Sequence, residues 1–347
     1  MIITKPNVEL WIPQSEIQHI ARCASVCYGS KGIRIPNDVK DSELVNNLIN
    51  NNHVSVFRHS SVYYIVPATY FSEDEYKYYT LIGLKNNPYV HIQYFDARYF
   101  ISTNKQWEME NSLQAAMLSP YVVNENTFIE FSKKDKENLL RRLTFCITTQ
   151  ISTSRELNRV SPNNITEEST RFCNYSKDKY TNDITIVQPH WIDLFKDYDY
   201  ESIKYDGKNL LATCGDFTLD ITLNKFPIES YILNRNISAK AAKRFFGKLH
   251  KECTHYLETL NDGFAPQDAR ELLPLCTATT VIYTYTVKEW IRILALRYYG
   301  ATGAPHPNAK IIAGLIRNEL IKLGYNVDKL VNTILKSFYK ESLYNVY

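Results

Sequence analysis

The sequence predicts an α/β chain with strands in its front and middle parts and a helical final third, on three observations. Two β-branched and aromatic runs, Ser61 to Val66 (SVYYIV) and Leu143 to Thr149 (LTFCITT), suit the pleated surface of a sheet. From Phe245 to Leu260 apolar residues recur at three- and four-residue steps, and the pattern returns in three later stretches. Apolar residues make up 44% of the 347 and charged residues 22%, a globular balance that can bury a large core.

In chain order, Ser15 followed by Gln18 resembles a capping box, and Ile17, Ile20, Ala21 and Ala24 then recur at helical spacing, which predicts a helix over about residues 15 to 27. Asp41 reads as the cap of a second short helix. Between the two strand runs lies a stretch rich in Tyr, Asn and Lys, read as an insertion at about 67–140 with partial structure of its own. A further strand pair is expected at Asp183 to Val187 and Phe217 to Thr222, with a polar loop between them and a variable region at about 190–240. The helix through Phe245 and Leu260 should stop at Gly263, and further helices are expected at Val287 to Leu296, at Lys310 to Leu323 with Gly324 as C-cap, and at Lys329 to Phe338. No repeat or linker divides the chain, so the expectation is one elaborated domain over 1–347.

Forty basic against thirty-seven acidic residues give a net charge of +3, too slight a surplus for a nucleic-acid groove or an anionic membrane surface. The seven cysteines lack paired CxxC spacing and read as reduced thiols of a cytoplasmic protein. No basic n-region with an apolar run and no membrane-spanning apolar stretch is present. Without GxGxxG or GxxxxGK[ST], any nucleotide phosphate must be held by side chains, and without HExxH or clustered Cys and His no metal site is expected.

The densest polar segment is Ser154 to Ser176, SRELNRVSPNNITEESTRFCNYS, with three arginines, three glutamates and many small polar side chains after a predicted strand. Such a composition suits a loop that grips a polyanion, and it equally suits a solvated surface loop with incidental ion pairs. Its spacing resembles the signature of the flavin-dependent thymidylate synthases, in which Arg-His-Arg is followed after seven residues by Ser, then Arg and an aromatic. Arg159, Ser169, Arg171 and Phe172 fall into that register, whereas Val160 and Ser161 stand where the family places His and Arg.

Two further pieces agree and occur in the family's order. Asn52 to His59 (NHVSVFRH) is similar to the family's GHxSxxEH, with His53, Ser55 and His59 in place and Arg58 where Glu is expected. Gln267 to Arg297 matches at Arg270, Pro274 and Arg297, with Thr286 and Lys288 in place of Asn and Arg, and His306 to Lys310 (HPNAK) is similar to HPQIR. The resemblance spans about residues 7 to 66 and 140 to 325.

The resemblance implies a ThyX-like α/β (α+β) fold with a central mixed sheet, a homotetramer with active sites shared between subunits, FAD as cofactor, NADPH and methylenetetrahydrofolate as co-substrates, and reductive methylation of dUMP to dTMP. Carried over by position, Glu167, Glu168, Ser169, Arg171, Arg270 and Arg297 would contact dUMP, with Ser169, Arg171 and Arg297 nearest the chemistry. His53, Ser55, Arg159, Asn163, Lys288 and Lys310 would serve the cofactor side. A guanidinium can fork onto phosphate and stabilise charge developing on a uracil carbonyl. Because the departures fall on the flavin side, an altered transfer such as hydroxymethylation, or a non-catalytic nucleotide-binding homologue, stands beside the leading reading. Cys173 carries no base beside it in the sequence, and the family activates uracil without a thiolate, so it is not assigned as a nucleophile.

Overall fold

A computed structural model describes residues 1–29, 35–132, 138–161, 164–177, 182–197, 200–214, 217–220 and 228–344. The chain opens with β1 (Ile2–Thr4) and β2 (Asn7–Trp11), then α1 (Glu16–Val26) and α2 (Asp38–Asn50). After β3 (Ser61–Pro67) come α3 (Glu75–Asn86), β4 (His91–Phe95), β5 (Arg98–Asn104), α4 (Lys105–Glu110), α5 (Ser112–Leu118), β6 (Val122–Val123) and α6 (Glu125–Ser132). β7 (Arg142–Gln150) leads directly into α7 (Ile151–Asn158), followed by β8 (Ile165–Glu167), β9 (Thr185–Val187), β10 (Ser202–Tyr205), β11 (Leu210–Cys214) and β12 (Phe217–Asp220). The final third holds α8 (Ala239–Asn261), α9 (Pro266–Ala269), β13 (Ala278–Thr286), α10 (Val287–Arg297), α11 (Pro307–Lys322) and α12 (Val327–Tyr344).

Three sheets organise these elements. The central one, ordered β2-β7-β13-β8, is antiparallel throughout, and β7 and β13 pair over their full lengths from Ala278↔Gln150 to Thr286↔Arg142. Both strands are buried almost end to end, because each face of the sheet is covered. Leu143, Phe145, Ile147, Val281, Tyr283 and Tyr285 meet α10, α11 and α12 on one side, and Cys146 and Ile282 meet α1 on the other. The alternation follows from the period of two along a strand.

The sheet expected to be both central and mixed is thus antiparallel, and the mixed one is the five-stranded sheet, ordered β12-β11-β10-β1-β9, where β1 runs parallel to β9 and antiparallel to β10. It packs on α8 through Ile3, Ile186, Ile203, Phe246, Leu249 and Tyr256. The strands expected at 183–187 and 217–222 both exist as β9 and β12, yet they stand at opposite edges of this sheet, with β10 and β11 formed from the stretch read as a polar loop. The third sheet, β4-β5-β3-β6, joins β3 to the elements that follow it.

Local capping also departs from expectation. Ser15 does occupy the N-cap of α1 but its side chain makes no capping bond, and Gln18 Nε2 instead donates to Asp38 Oδ1 at 2.9 Å. Asn37, not Asp41, caps α2: its side chain accepts from the Lys40 N–H, while the Asp41 carboxylate reaches back to the Asn37 N–H at 3.1 Å. The end of α8 and the end of α11 are as expected, with Gly263 and Gly324 at φ +97° and +90°, a region costly for a residue with a Cβ. No helix among the described residues is long and apolar enough to cross a membrane.

Candidate active site

Chain direction at the end of β7 builds the site. The strand ends at Gln150 and α7 starts at once, so Ser154 and Arg155, read as loop, are helical. β8 returns antiparallel to β13 with Glu167 opposite Val281, and the Glu168 N–H continues the ladder to the Thr280 carbonyl. The chain then turns tightly: the N–H groups of Phe172 and Cys173 both donate to the Ser169 carbonyl, and the Ser169 N–H donates to Cys27 at the end of α1. Phe172 sits 6.0 Å from the Tyr28 ring and 5.4 Å from the Arg171 guanidinium, which fixes the exposed tip of this turn.

This turn, α7 and the segment after α9 enclose a cavity of about 610 Å³. Glu167, Glu168, Ser169, Arg171 and Arg270 all line it, so the structure brings these five sequence-predicted residues together. Arg155 and Thr279 line it too and were missed. Arg155 stands four residues before Arg159, but a helix starting without a side-chain cap after a strand carries no start signal that would reveal the pairing.

None of Arg155, Arg171 and Arg270 makes a salt bridge among the described residues, so three exposed guanidiniums keep their forked donors available. The carboxylates beside them are better held. Glu167 Oε1 accepts from Ser154 Oγ at 2.8 Å and Thr279 Oγ1 at 3.1 Å, and Glu168 Oε1 accepts from the Tyr175 hydroxyl at 3.1 Å. Burial pushes the Glu167 carboxyl up, against the opposing pull of those two hydroxyls and of the Arg155 charge. Cys173 is fully buried and does not line the cavity.

Arg297 lies elsewhere in the single chain: its Nε and Nη2 donate to the Glu156 carbonyl at 3.1 and 2.8 Å, tying α10 to α7. His53, Ser55, Arg159, Lys288 and Lys310 are all exposed and do not share a cavity within one chain. Lys310 edges a separate open hollow of about 580 Å³ with His190 and Tyr298. Asn163 lies outside the described residues.

Where the sequence departs from the family signature, the side chains serve the fold. Val160 packs against the core under α10, and Ser161 Oγ donates to Glu289 Oε1 at 2.9 Å. Thr286 caps α10 in a capping box with the same Glu289, and His91 from β4 brings its Nε2 within 3.3 Å of Glu289 Oε2. Burial raises the Glu289 carboxyl, and its contacts with His91, the Thr286 N–H and the Arg142 charge outweigh that, holding it at about 2. Its stabilisation is therefore complete above the ordinary carboxylate range and lost as pH falls toward 2. Glu289→Gln is expected to cost about 1 to 3 kcal/mol at neutral pH; an unchanged urea midpoint would refute the structural role.

Among curated proteins no relative matches the chain. Two solved structures of a UMP/dUMP methylase, PolB from Streptomyces cacaoi, are similar at 14% identity: the complex with 5-Br dUMP over 92% of each chain with a TM-score of 0.38, and that with 5-Br UMP over 96% of each with 0.40. The family model described as thymidylate synthase complementing protein matches residues 140–323, which take in β7 to α11 and every residue lining the cavity. That span is just over half of the sequence, and the chain belongs to this Thy1 family.

Proposed function

We propose that the cavity between α7, the turn at Ser169 and the segment after α9 binds dUMP, and that the protein modifies C5 of its uracil as a ThyX-like enzyme. The observation that carries this reading is the set of three exposed guanidiniums, Arg155, Arg171 and Arg270, that make no ion pair among the described residues and surround one cavity in the part of the chain that matches the family. Two of them suffice to fork onto a phosphate, since each presents parallel N–H donors. Ser169, at the turn, adds a hydroxyl and Glu167 a carboxyl whose raised proton affinity lets it hold a proton at the base or accept from the ribose.

The finer reading is reductive methylation to dTMP in a homotetramer with sites shared between subunits. The exposed polar positions His53, Ser55, Arg159, Lys288 and Lys310 form no flavin cradle within one chain, and they fit a cofactor only where a second subunit completes its walls. FAD recharged by NADPH would supply hydride there, and methylenetetrahydrofolate the one-carbon unit. The commitment of Ser161 and Thr286 to Glu289 favours one alternative, transfer without the final hydride step, because two positions the family gives to flavin are structural here.

Release of tritium from C5-labelled dUMP tests the reading. It is expected only with the folate present, and product mass then separates methylation from hydroxymethylation. A protein that binds dUMP but releases no tritium with any combination of FAD, NADPH and methylenetetrahydrofolate is a non-catalytic homologue.

A further inference from the structure

The charges of α8 run against its own dipole. A helix is favoured by acids in its first turn and bases in its last. In α8 no acid stands in the first turn; Lys240, Lys243, Arg244, Lys248 and Lys251 come first, and Glu252, Glu258 and the C-cap Asp262 follow. Steps of three and four residues put those five cations on one face, about 16 Å long, so that Lys240 and Arg244, and Arg244 and Lys248, are like charges one turn apart. The opposite face is committed to the core through Ala242, Phe246, Leu249, Cys253 and Tyr256. Helix stability therefore does not account for the row of cations.

Arg235, just ahead of the helix, extends the row, and the sequence from Tyr231 to Lys251 holds no acid. All six cations are exposed and make no ion pair among the described residues. The acids around them are engaged or few: Glu252 faces His255 at 3.7 Å, and Asp206, in the turn that packs on His250, accepts from the Lys208 and Asn209 N–H groups. With Asp206, Glu229 and Glu252 all set against the six, three positive charges remain uncompensated. The whole-chain charge of +3, too slight by itself for a nucleic-acid groove, averages over this one basic face.

An aromatic ring flanks the row. Phe245, between Arg244 and Phe246, is 40% exposed and is held by edge contacts with Trp191 at 5.3 Å and Phe246 at 5.7 Å. Cations that can track a backbone beside a ring that can stack a base are the two parts of a single-strand surface. A membrane fits less well, because the apolar face of α8 is buried and only Leu233 and Phe245 are large exposed apolar residues between positions 228 and 261. A second copy meeting the same face would set like charges together.

We propose that the row from Arg235 to Lys251, with Phe245, binds the backbone of a single-stranded nucleic acid, independently of the nucleotide reading.

The probe is a fluorescein-labelled oligodeoxyadenylate without a terminal phosphate, titrated by anisotropy into the full chain saturated with dUMP, with polyglutamate and phosphatidylserine vesicles as comparisons. Saturable binding at least tenfold tighter than to polyglutamate is expected, with log affinity falling against log salt at a slope of about −3, as for about four neutralised phosphates. Replacing Lys243, Arg244 and Lys248 together by Ala removes exposed side chains only, and should weaken the strand at least tenfold and bring the slope to about −1. Phe245→Ala should weaken it about fivefold or more and leave the slope unchanged. Binding of dUMP by the triple variant should equal the parent's, so the two readings fail separately. Absence of saturable strand binding, equal binding of polyglutamate or of the vesicles, or a triple variant with the parent's affinity and slope overturns the proposal.

Discussion

Arg171→Ala and Arg270→Ala are each expected to weaken dUMP by about 1 to 3 kcal/mol, roughly five- to 150-fold, while leaving deoxyuridine affinity unchanged. The contrast with the unphosphorylated nucleoside isolates the phosphate, because a charge-assisted forked pair is lost only where the second charge is present. Both residues are exposed and make no ion pair among the described residues, so their removal should not disturb the fold. Arg155 lines the same cavity and is expected to behave alike. The pair of changes together should reduce binding further but not additively, since neighbouring cations share one ligand. Calorimetry showing dUMP affinity equal to the parent in both single variants removes the phosphate assignment. Arg297→Ala gives a further reading from the same assay: with its guanidinium bound to Glu156 on α7, a loss of dUMP affinity would mean a role across subunits or through the placing of Arg155.

The legible and illegible parts of this site differ in range. Glu167, Ser169 and Arg171 lie on one strand end and one tight turn, so spacing alone carries them into the cavity. Arg270 came from a distant segment and could be placed beside them only through the family's order of motifs. Arg155 escaped because α7 follows β7 without a break, its N-cap Gln150 giving no hydrogen-bonded start, and the segment looked like a loop. β13 escaped for another reason: ATTVIYTYT is rich in β-branched and aromatic residues, yet it lies inside the third of the chain whose apolar spacing reads as helical. The edge positions of β9 and β12 depend on β1, β10 and β11, short strands whose pairing no local pattern fixes.

The departures from the family signature acquire a common cause in the fold. Ser161, Thr286 and Glu289 form one bonded group at the start of α10, and His91 of β4 joins it from the stretch after β3. Arg142, at the start of β7, adds its charge to the same carboxylate and also contacts Arg58 and Ser61 next to β3. Ser161 and Thr286 thus hold Glu289 where the central sheet meets β4.

Acid should unfold the protein through two histidines in that junction. His19 and His59 are buried, and a hydrogen-bonded chain links them: His59 Nδ1 lies 2.8 Å from Thr284 Oγ1, Thr284 is 2.7 Å from Thr144, and Thr144 is 3.4 Å from His19 Nε2. Burial lowers His19 to about 4, helped by the Arg22 charge and opposed by the bond with the His59 backbone. Burial also holds His59 well below the usual histidine value, with His19, Arg142 and Arg58 adding repulsion. Both are neutral in the folded state, whereas the unfolded chain takes up protons as pH falls through 6.5. The unfolded state therefore binds more protons at His19 between pH 6.5 and about 4, where stability drops by about 1.4 kcal/mol per pH unit, and His59 acts in the same direction. His19 alone contributes a loss of about 3 kcal/mol across that window. Glu167 runs the other way: its raised carboxyl favours the folded state at low pH and disfavours it as pH rises, which offsets part of the slope. His19→Gln and His59→Gln remove the two contributions in turn, so each variant should be less stable than the parent at neutral pH and less sensitive to acid. Urea unfolding across the window decides it: if both variants keep the parent's slope of stability against pH, the acid lability comes from other groups.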